Sequence, residues 1–114
     1  MLGCLFCKIV QKQIPAKIVY EDDKVLAFED VSPQAPVHIL IIPKEHIPTV
    51  NDINEGHKDL VIGMFGTAKK IAVERNIAMQ GYRLVFNTNA EAGQSVFHVH
   101  MHLLGGRHLN WPPG

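Results

Sequence analysis

The sequence predicts an α+β domain in which a mostly antiparallel sheet of about five strands packs against one long helix. Three observations lead to this fold class. Short runs of β-branched residues recur along the chain, one long apolar stripe has helical spacing, and neither repeats nor low-complexity stretches interrupt them. At 114 residues the chain has the usual length of one domain, so residues 1–114 are expected to share one core.

The first half of the chain predicts a short helix followed by three strands. Apolar residues spaced for one helix face occur within residues 1–16, and Pro15 ends that segment because the residue before a proline avoids the helical region. The runs 18–21 and 25–29 flank a polar turn and predict a β-hairpin. The β-branched run 37–42 predicts a central strand.

The second half predicts a long helix and two more strands. Apolar residues between 54 and about 75 recur at i, i+1, i+4, i+5 and i+8, which places them on one helix face toward the core. Residues 82–87 predict a strand, 88–95 a polar loop, and 96–104 the last strand. The tail 105–114 begins with two glycines and contains two consecutive prolines, so we expect it to be irregular.

Composition argues against several classes of protein. Lys+Arg 11 balances Asp+Glu 11, and no basic cluster occurs, which argues against nucleic acid as a partner. The longest apolar run, 37–43, already contains a histidine and is far too short to cross a bilayer, and the N-terminus lacks the pattern of a signal peptide. Two cysteines close together do not make a secreted disulfide framework. We therefore expect a cytoplasmic protein without a nucleic-acid or membrane partner.

Three of the seven histidines alternate along the last predicted strand. Because side chains at i, i+2 and i+4 share one strand face, His98, His100 and His102 are expected to line one side of the sheet. Three interpretations fit such a row: a solvated face, a metal site, and catalysis by imidazole. Strand spacing suits two ligands of a tetrahedral ion better than three. Imidazole titrates near neutrality and serves as nucleophile, base or acid, so catalysis is the interpretation we favour.

Residues 98–104 resemble the H-φ-H-φ-H-φ-φ signature of the histidine triad (HIT) family of nucleotide-binding hydrolases and transferases, where φ is apolar. The segments 30–38, 93–97, 104–107 and 111–114 are similar to the Hint branch of that family, so the resemblance covers essentially the whole chain. It implies a HIT-like fold with one long helix and a short N-terminal helix. It also implies a homodimer whose sheets join across a two-fold axis.

The resemblance further implies a mechanism. Members of the family transfer or hydrolyse nucleotidyl groups through a covalent nucleotidyl-histidine, and the middle histidine, here His100, attacks the α-phosphorus. His98 and His102 then match the residues that hold the tautomer of His100 and donate to phosphate oxygens. Hint-like members add a histidine at the position of His38, which by residue type alone would be a buried strand histidine. The sequence has no Walker loop and no acidic cluster, so the chemistry is expected to require no metal or other cofactor.

The same resemblance implies a purine nucleoside pocket. Asp30 matches a carboxylate that binds both ribose hydroxyls, although its position before Ser32 also suits an ordinary turn residue. Val31, together with Phe6 or Ile9, is expected to form a wall for the base. The residues that match contacts to the phosphate or the leaving group are Asn87, Gly93, Gln94, Ser95 and, in the tail, Trp111.

Cys4 and Cys7 form a C-x-x-C pair that is open to several interpretations. The residues alone allow a redox pair, half of a zinc site, or two ordinary buried thiols. Some HIT relatives carry this pair and bind zinc with it and two histidines, whose positions match His46 and His98 here. The resemblance therefore implies a structural Zn²⁺ site that pins the N-terminal helix to the sheet.

With this resemblance, the sequence predicts a hydrolase that cleaves the P–N bond of purine nucleoside 5′-phosphoramidates. The substrate is adenosine monophosphate linked to an amine, with aminoacyl adenylates as a further candidate. Two other classes stay open: a non-catalytic nucleotide- or zinc-binding module of the same fold, and a dinucleoside polyphosphate hydrolase or nucleotidyl transferase. The intact histidine row together with Ser95 favours an enzyme over a binding module.

Overall fold

The helices and strands follow one another in the order that the sequence predicts. The structure, a computed structural model, describes residues 3–114. In chain order the elements are α1 (Leu5–Val10), β1 (Ile18–Glu21), β2 (Val25–Glu29), β3 (Val37–Pro43), α2 (Lys58–Glu74), β4 (Tyr82–Phe86) and β5 (Met101–Gly105). Short 3₁₀ turns at Val50–Asp52, Glu55–His57 and Ala90–Ala92 lie in the connections.

The strands form one five-stranded sheet in the order β1-β2-β3-β5-β4, and every neighbouring pair is antiparallel. β3 is thus the central strand, as its β-branched run predicts. The register places Leu40 of β3 opposite His102 of β5, so both side chains point to one face. His38 lies two residues from Leu40 and points to that face as well. The sheet therefore brings together two histidines that are 64 positions apart in the chain.

The two faces of the sheet carry separate apolar clusters. On one face, Ile39 and Met101 pack against α2, whose Met64 is almost fully buried. On the other face, Leu40 packs with Phe6 of α1. This alternation explains why β2 and β3 are apolar on both sides, and it confirms the prediction of an α+β fold with helices on the sheet. The face under α1 is the one that carries His38 and His102.

The N-terminal helix is shorter than the expected segment 1–16, and residues 1 and 2 lie outside the described part. The Cys4 side chain caps α1 by accepting a hydrogen bond from the backbone N–H of Cys7. α1 ends at Val10, and Lys12 then takes a left-handed φ of 63°. No helix within residues 3–114 has the length and apolar character needed to cross a membrane.

The starts of the last strand and of the long helix also differ from the prediction, and the first of these differences matters for function. β5 begins at Met101 rather than at residue 96, because the backbone N–H of Val99 donates to the carbonyl of Ile47, in the loop after β3. His98 and His100 therefore precede the strand, and the expected row of three histidines along one strand is wrong. The long helix begins at Lys58 because Asn54 caps a separate 3₁₀ turn ahead of it.

Candidate active site

Three histidines still meet on the α1 face of the sheet, although only two of them belong to strands. The ring centroids of His100 and His102 are 5.0 Å apart, and those of His38 and His102 are 5.2 Å apart. The rings of Phe6 and His100 pack edge to face, with centroids 5.1 Å apart. His38 and His100 are buried and His102 is half-buried. The protein therefore encloses the rings of His38 and His100, and solvent reaches the cluster at His102.

A backbone donor fixes the tautomers of His38 and His102. The N–H of Gln34 donates to Nδ1 of His38 over 3.0 Å. Because an amide N–H only donates, the neutral ring of His38 carries its own proton on Nε2. That atom lies 2.9 Å from Nδ1 of His102, so His38 donates and His102 accepts. The proton of a neutral His102 is then on Nε2, the nitrogen that faces away from His38.

The tautomer of His100 is fixed in the opposite sense. Its Nδ1 donates to the backbone carbonyl of His98 over 2.8 Å, because a carbonyl oxygen only accepts. The remaining nitrogen, Nε2, keeps its lone pair. A neutral imidazole held in this tautomer is a nucleophile at Nε2.

Burial keeps these rings neutral. It lowers the pKa of His100, against the hydrogen bond to the His98 carbonyl and the charge of Asp30, which raise it. Burial, followed by the neighbouring His100 and His38, lowers the pKa of His102 to about 4. Burial also lowers the pKa of His38, and Asp30 opposes that shift. The cluster is therefore uncharged near pH 7, which suits nucleophilic attack and neutral hydrogen-bond donation.

Asp30 lies at the edge of the histidine cluster. Its Oδ1 accepts from the backbone N–H of Ser32 over 2.8 Å, which is the turn geometry that its sequence position suggests. Its Oδ2 lies 3.4 Å from Nε2 of His38. One carboxylate oxygen therefore shapes the loop while the other sits beside the histidines. The neighbouring Val31 is fully exposed, so this chain alone does not enclose a base there.

The loop before the histidines is held by Gln94. Its buried side chain accepts from the N–H of Asn89 and donates to the carbonyls of Pro48 and Val96. Gly93 has a φ of +80°, and its N–H donates to the carbonyl of Ala90. The hydrogen bonds of the Gln94 amide and the Gly93 N–H are thus made within the protein, where both residues stabilise the loop.

The remaining residues expected at the pocket are all at least partly exposed. Ser95 is exposed and lines a surface cleft with Cys4 and His46. Asn87 is half-buried, directly after β4. Trp111 is 81% exposed, so within one chain it does not contribute to a packed site.

Four metal-ligating side chains converge next to the histidine cluster. The ligand atoms of Cys4, Cys7, His46 and His98 all lie within 4.8 Å of one another. Three sulfur–nitrogen distances, each from a thiol to a ring Nδ1, are 3.3, 3.4 and 3.5 Å. In a tetrahedral zinc site with Zn–S of about 2.3 Å and Zn–N of about 2.0 Å, sulfur and nitrogen are about 3.5 Å apart. The donor set and its spacing therefore fit Zn²⁺.

The orientation of His98 fits the same interpretation. Its Nε2–H donates to the carbonyl of Pro43 over 2.7 Å, which leaves the Nδ1 lone pair directed at the thiols. Such a backbone acceptor behind a histidine is the usual way of orienting a metal ligand. Burial and the nearby Cys4 raise the pKa of the Cys7 thiol, and a bound cation would oppose that shift.

These contacts change the part expected of His98. Both nitrogens of its ring are directed at protein groups, so the ring is not free to donate to a phosphate. His98 acts on His100 through its backbone carbonyl instead. Gln34 and Pro43 complete the site through backbone atoms, and sequence reasoning missed both because a backbone donor or acceptor leaves no residue signature.

The fold and the site together define a small α+β protein that presents a cluster of neutral, orientation-fixed histidines, and known proteins are similar to it in sequence and fold. The family described as scavenger mRNA decapping enzyme C-term binding matches residues 3–110. Purine nucleoside phosphoramidase from Escherichia coli K12 is 56% identical over 105 residues, which cover 92% of this chain and 88% of that protein. A HIT family hydrolase from Legionella pneumophila is 54% identical, with a TM-score of 0.97 over 98% of this chain and 100% of that one.

A histidine triad protein from Clostridium difficile is also similar, at 42% identity and a TM-score of 0.93 over 96% of each chain. The chain belongs to the histidine triad (HIT) family. The resemblance seen in its sequence is thereby confirmed, and so is the HIT-like fold.

Proposed function

We propose that this protein hydrolyses purine nucleoside 5′-phosphoramidates at the P–N bond, through a nucleotidyl intermediate on His100. The observation that carries the proposal is the hydrogen bond from His100 Nδ1 to the His98 carbonyl, which reserves the Nε2 lone pair for attack. The substrate class is supported by the 56% identity to a purine nucleoside phosphoramidase.

The reaction divides into two displacements. In the first, Nε2 of His100 forms a bond to the α-phosphorus and the P–N bond breaks, while a proton from solvent passes to the nitrogen of the leaving amine. In the second, water attacks the phosphorus and gives a proton back to solvent, the bond from phosphorus to His100 breaks, and nucleoside monophosphate is released. His100 returns to its neutral state with Nδ1 still donating to the His98 carbonyl. One difficult step thus becomes two easier ones.

His102 and His38 stabilise the transferring phosphate in this proposal. The chain of donors that begins at the Gln34 N–H leaves a proton on Nε2 of His102. That proton is available to a phosphate oxygen, where negative charge builds up in the transition state. Because the pKa of His102 is about 4, its ring stays neutral and keeps this role throughout the neutral pH range.

We assign the nucleoside and phosphate contacts as follows. Asp30 Oδ2 accepts from the ribose hydroxyls, because it already lies at the edge of the histidine cluster. Val31 packs against the base, and Asn87 and Ser95 donate to the phosphate or the leaving group. Gln94 and Gly93 act indirectly by fixing the loop that ends at Ser95.

The functional unit that we propose is a two-fold homodimer. Ile62, Phe65 and Val73 of α2 are at least 40% exposed, and the ring centroids of Phe65 and Phe86 of β4 are 6.4 Å apart. β4 is also an edge strand of the sheet, which leaves backbone groups for pairing with a second copy. In such a dimer, Trp111 would reach the leaving-group side of the partner's site. The free thiols suit a reducing compartment, and we place the protein in the cytoplasm.

We also propose that Cys4, Cys7, His46 and His98 hold a structural Zn²⁺ ion. When bound, the ion would cross-link α1, the loop after β3, and the segment before β5. It takes no part in the proposed displacement, because the nucleophile and the phosphate donor lie on His100 and His102.

Turnover of adenosine 5′-phosphoramidate tests this function, with release of adenosine monophosphate and ammonia measured for wild type and His100→Ala. We expect turnover by the wild type, loss of turnover in the variant, and monophosphate binding by both. Wild-type protein that binds the monophosphate without turning over the phosphoramidate would instead identify a nucleotide-binding module.

A further inference from the structure

The chain that leaves β5 packs directly on the loop between β2 and β3. Gly106 has a φ of +92°, and a Cβ at this position would lie 3.0 Å from Cβ of Pro36. Only glycine permits both the backbone conformation and this close approach. The next residue, Arg107, donates from Nε to the carbonyl of Gln34 over 3.0 Å and from its terminal nitrogen to the carbonyl of His108 over 2.9 Å.

Gln34 is also the residue whose N–H donates to Nδ1 of His38. Three hydrogen bonds therefore connect the exposed Arg107 to His102. The Nε–H of Arg107 donates to the Gln34 carbonyl, the N–H of Gln34 donates to His38, and His38 donates to His102. The last ring is the proposed phosphate donor. No part of Arg107 itself needs to touch a substrate for this connection to act.

We propose that Arg107 is a positioning residue that holds Gln34 in place and thereby keeps the proton of His102 on Nε2. If Gln34 moves away, Nδ1 of His38 is free to carry the proton of that ring. Nε2 of His38 would then accept from Nδ1 of His102, which would leave a lone pair on Nε2 of His102. A lone pair there repels a phosphate oxygen instead of donating to it.

Asp30 favours the same tautomer of His38 from the other side. Its Oδ2 lies 3.4 Å from Nε2 of His38, so a proton on that nitrogen is attracted and a lone pair is repelled. Gln34 is further braced by its own side chain, which donates to the carbonyl of Ser32. Loss of Arg107 should therefore change the balance of tautomers rather than abolish the donor, and we expect a moderate effect on rate.

The experiment compares wild type, Arg107→Met and Arg107→Lys in the full-length protein by ¹⁵N-histidine NMR, which reports the protonated nitrogen of each ring. Methionine has a similar length and no N–H donor, whereas glutamine would keep an N–H at the position of Nε. The signals of His38 and His102 are assigned by their loss in His38→Gln and His102→Gln. The matched control is Arg83→Met, because Arg83 also binds backbone carbonyls of the C-terminal segment, at Leu109 and Asn110, but does not reach Gln34.

In wild type and Arg83→Met, we expect His38 and His102 both to be protonated at Nε2. Arg107→Met should show a mixture of tautomers at both rings, and Arg107→Lys a smaller change, because an ammonium keeps an N–H donor and a thioether has none. The proposal rests on the proposed function only for its kinetic part. There, kcat for the phosphoramidate should fall about fivefold in Arg107→Met, the equivalent of one hydrogen bond, with KM changed by less than about twofold.

Wild-type tautomers in Arg107→Met would overturn the proposal, and so would an equal change in Arg83→Met. These spectra need no substrate, so they decide the role of Arg107 even if the wild type does not hydrolyse phosphoramidates. Conversely, altered tautomers in Arg107→Met with an unchanged kcat would separate Arg107 from the reaction and contradict the kinetic part.

Discussion

Acidification should destabilise the folded protein through His102, by an amount that follows from its environment. The pKa of this ring is about 6.5 in the unfolded chain and about 4 in the folded protein. Between these values the unfolded state binds more protons, so the stability that His102 contributes is complete above pH 6.5 and is lost as the pH falls toward 4.

The size of the loss follows from the same two values. Between about pH 8 and about pH 5, a shift of this size costs ~2 kcal/mol for a fully buried ring. Because His102 is only half-buried, solvent screening reduces the expected cost to ~1 kcal/mol.

Urea unfolding at both pH values measures this cost. Wild type should lose about 1 kcal/mol more free energy of unfolding than His102→Gln over this interval. Any bound metal that is lost on acidification affects both proteins, so it cancels in the difference. His108→Gln removes an exposed tail histidine and should behave as wild type does. Equal losses in wild type and His102→Gln would refute the reasoning that burial keeps this ring neutral.

Three further changes test other parts of the site. Asp30→Ala should raise KM for a ribonucleoside phosphoramidate about 30-fold, the equivalent of ~2 kcal/mol of charge-assisted hydrogen bonding. If the ratio of the rates for ribonucleoside and 2′-deoxyribonucleoside substrates does not change, Asp30 does not bind the ribose hydroxyls. Deletion of residues 111–114 should change the order of turnover rates across leaving amines more than the order across bases. An unchanged order across amines in steady-state assays would show that the tail does not reach the site. Cys4→Ser with Cys7→Ser should lose bound zinc and lower Tm, whereas equal zinc content by elemental analysis would contradict the proposed metal site.

The fold was predictable because local pattern and tertiary packing agree in most of the chain. Apart from His38, the run 37–42 is apolar on every residue because α1 and α2 cover opposite faces of the central strand. The polar turn between β1 and β2 lies where the sequence puts it. In these segments each side chain has one environment that satisfies it, and the periodicity reveals which one.

The candidate site was predictable in its residue types but not in its connections. Alternation from 96 to 104 predicts a continuous strand, yet a hydrogen bond from Val99 to Ile47 delays the strand to Met101. The ring of His98 consequently faces the thiols, while its carbonyl serves His100. Periodicity reports the directions of side chains only where the backbone is regular, so an irregular approach to a strand is invisible to it.

Tautomers are the second feature that the sequence does not encode locally. The donor on His38 is the N–H of Gln34, and any residue except proline offers one. Only the folded loop, held by Gly106 and Arg107, brings that N–H to the ring.

Covalent trapping tests directly whether His100 is the nucleophile. Wild type and His100→Ala would be mixed with an adenosine phosphoramidate, quenched rapidly in acid-free denaturant, and analysed by intact mass and peptide mapping. We expect an adenylyl adduct on His100 in the wild type, formed and lost at rates that match turnover, and no adduct in the variant. An adduct on another residue, or an adduct that persists in His100→Ala, would contradict it.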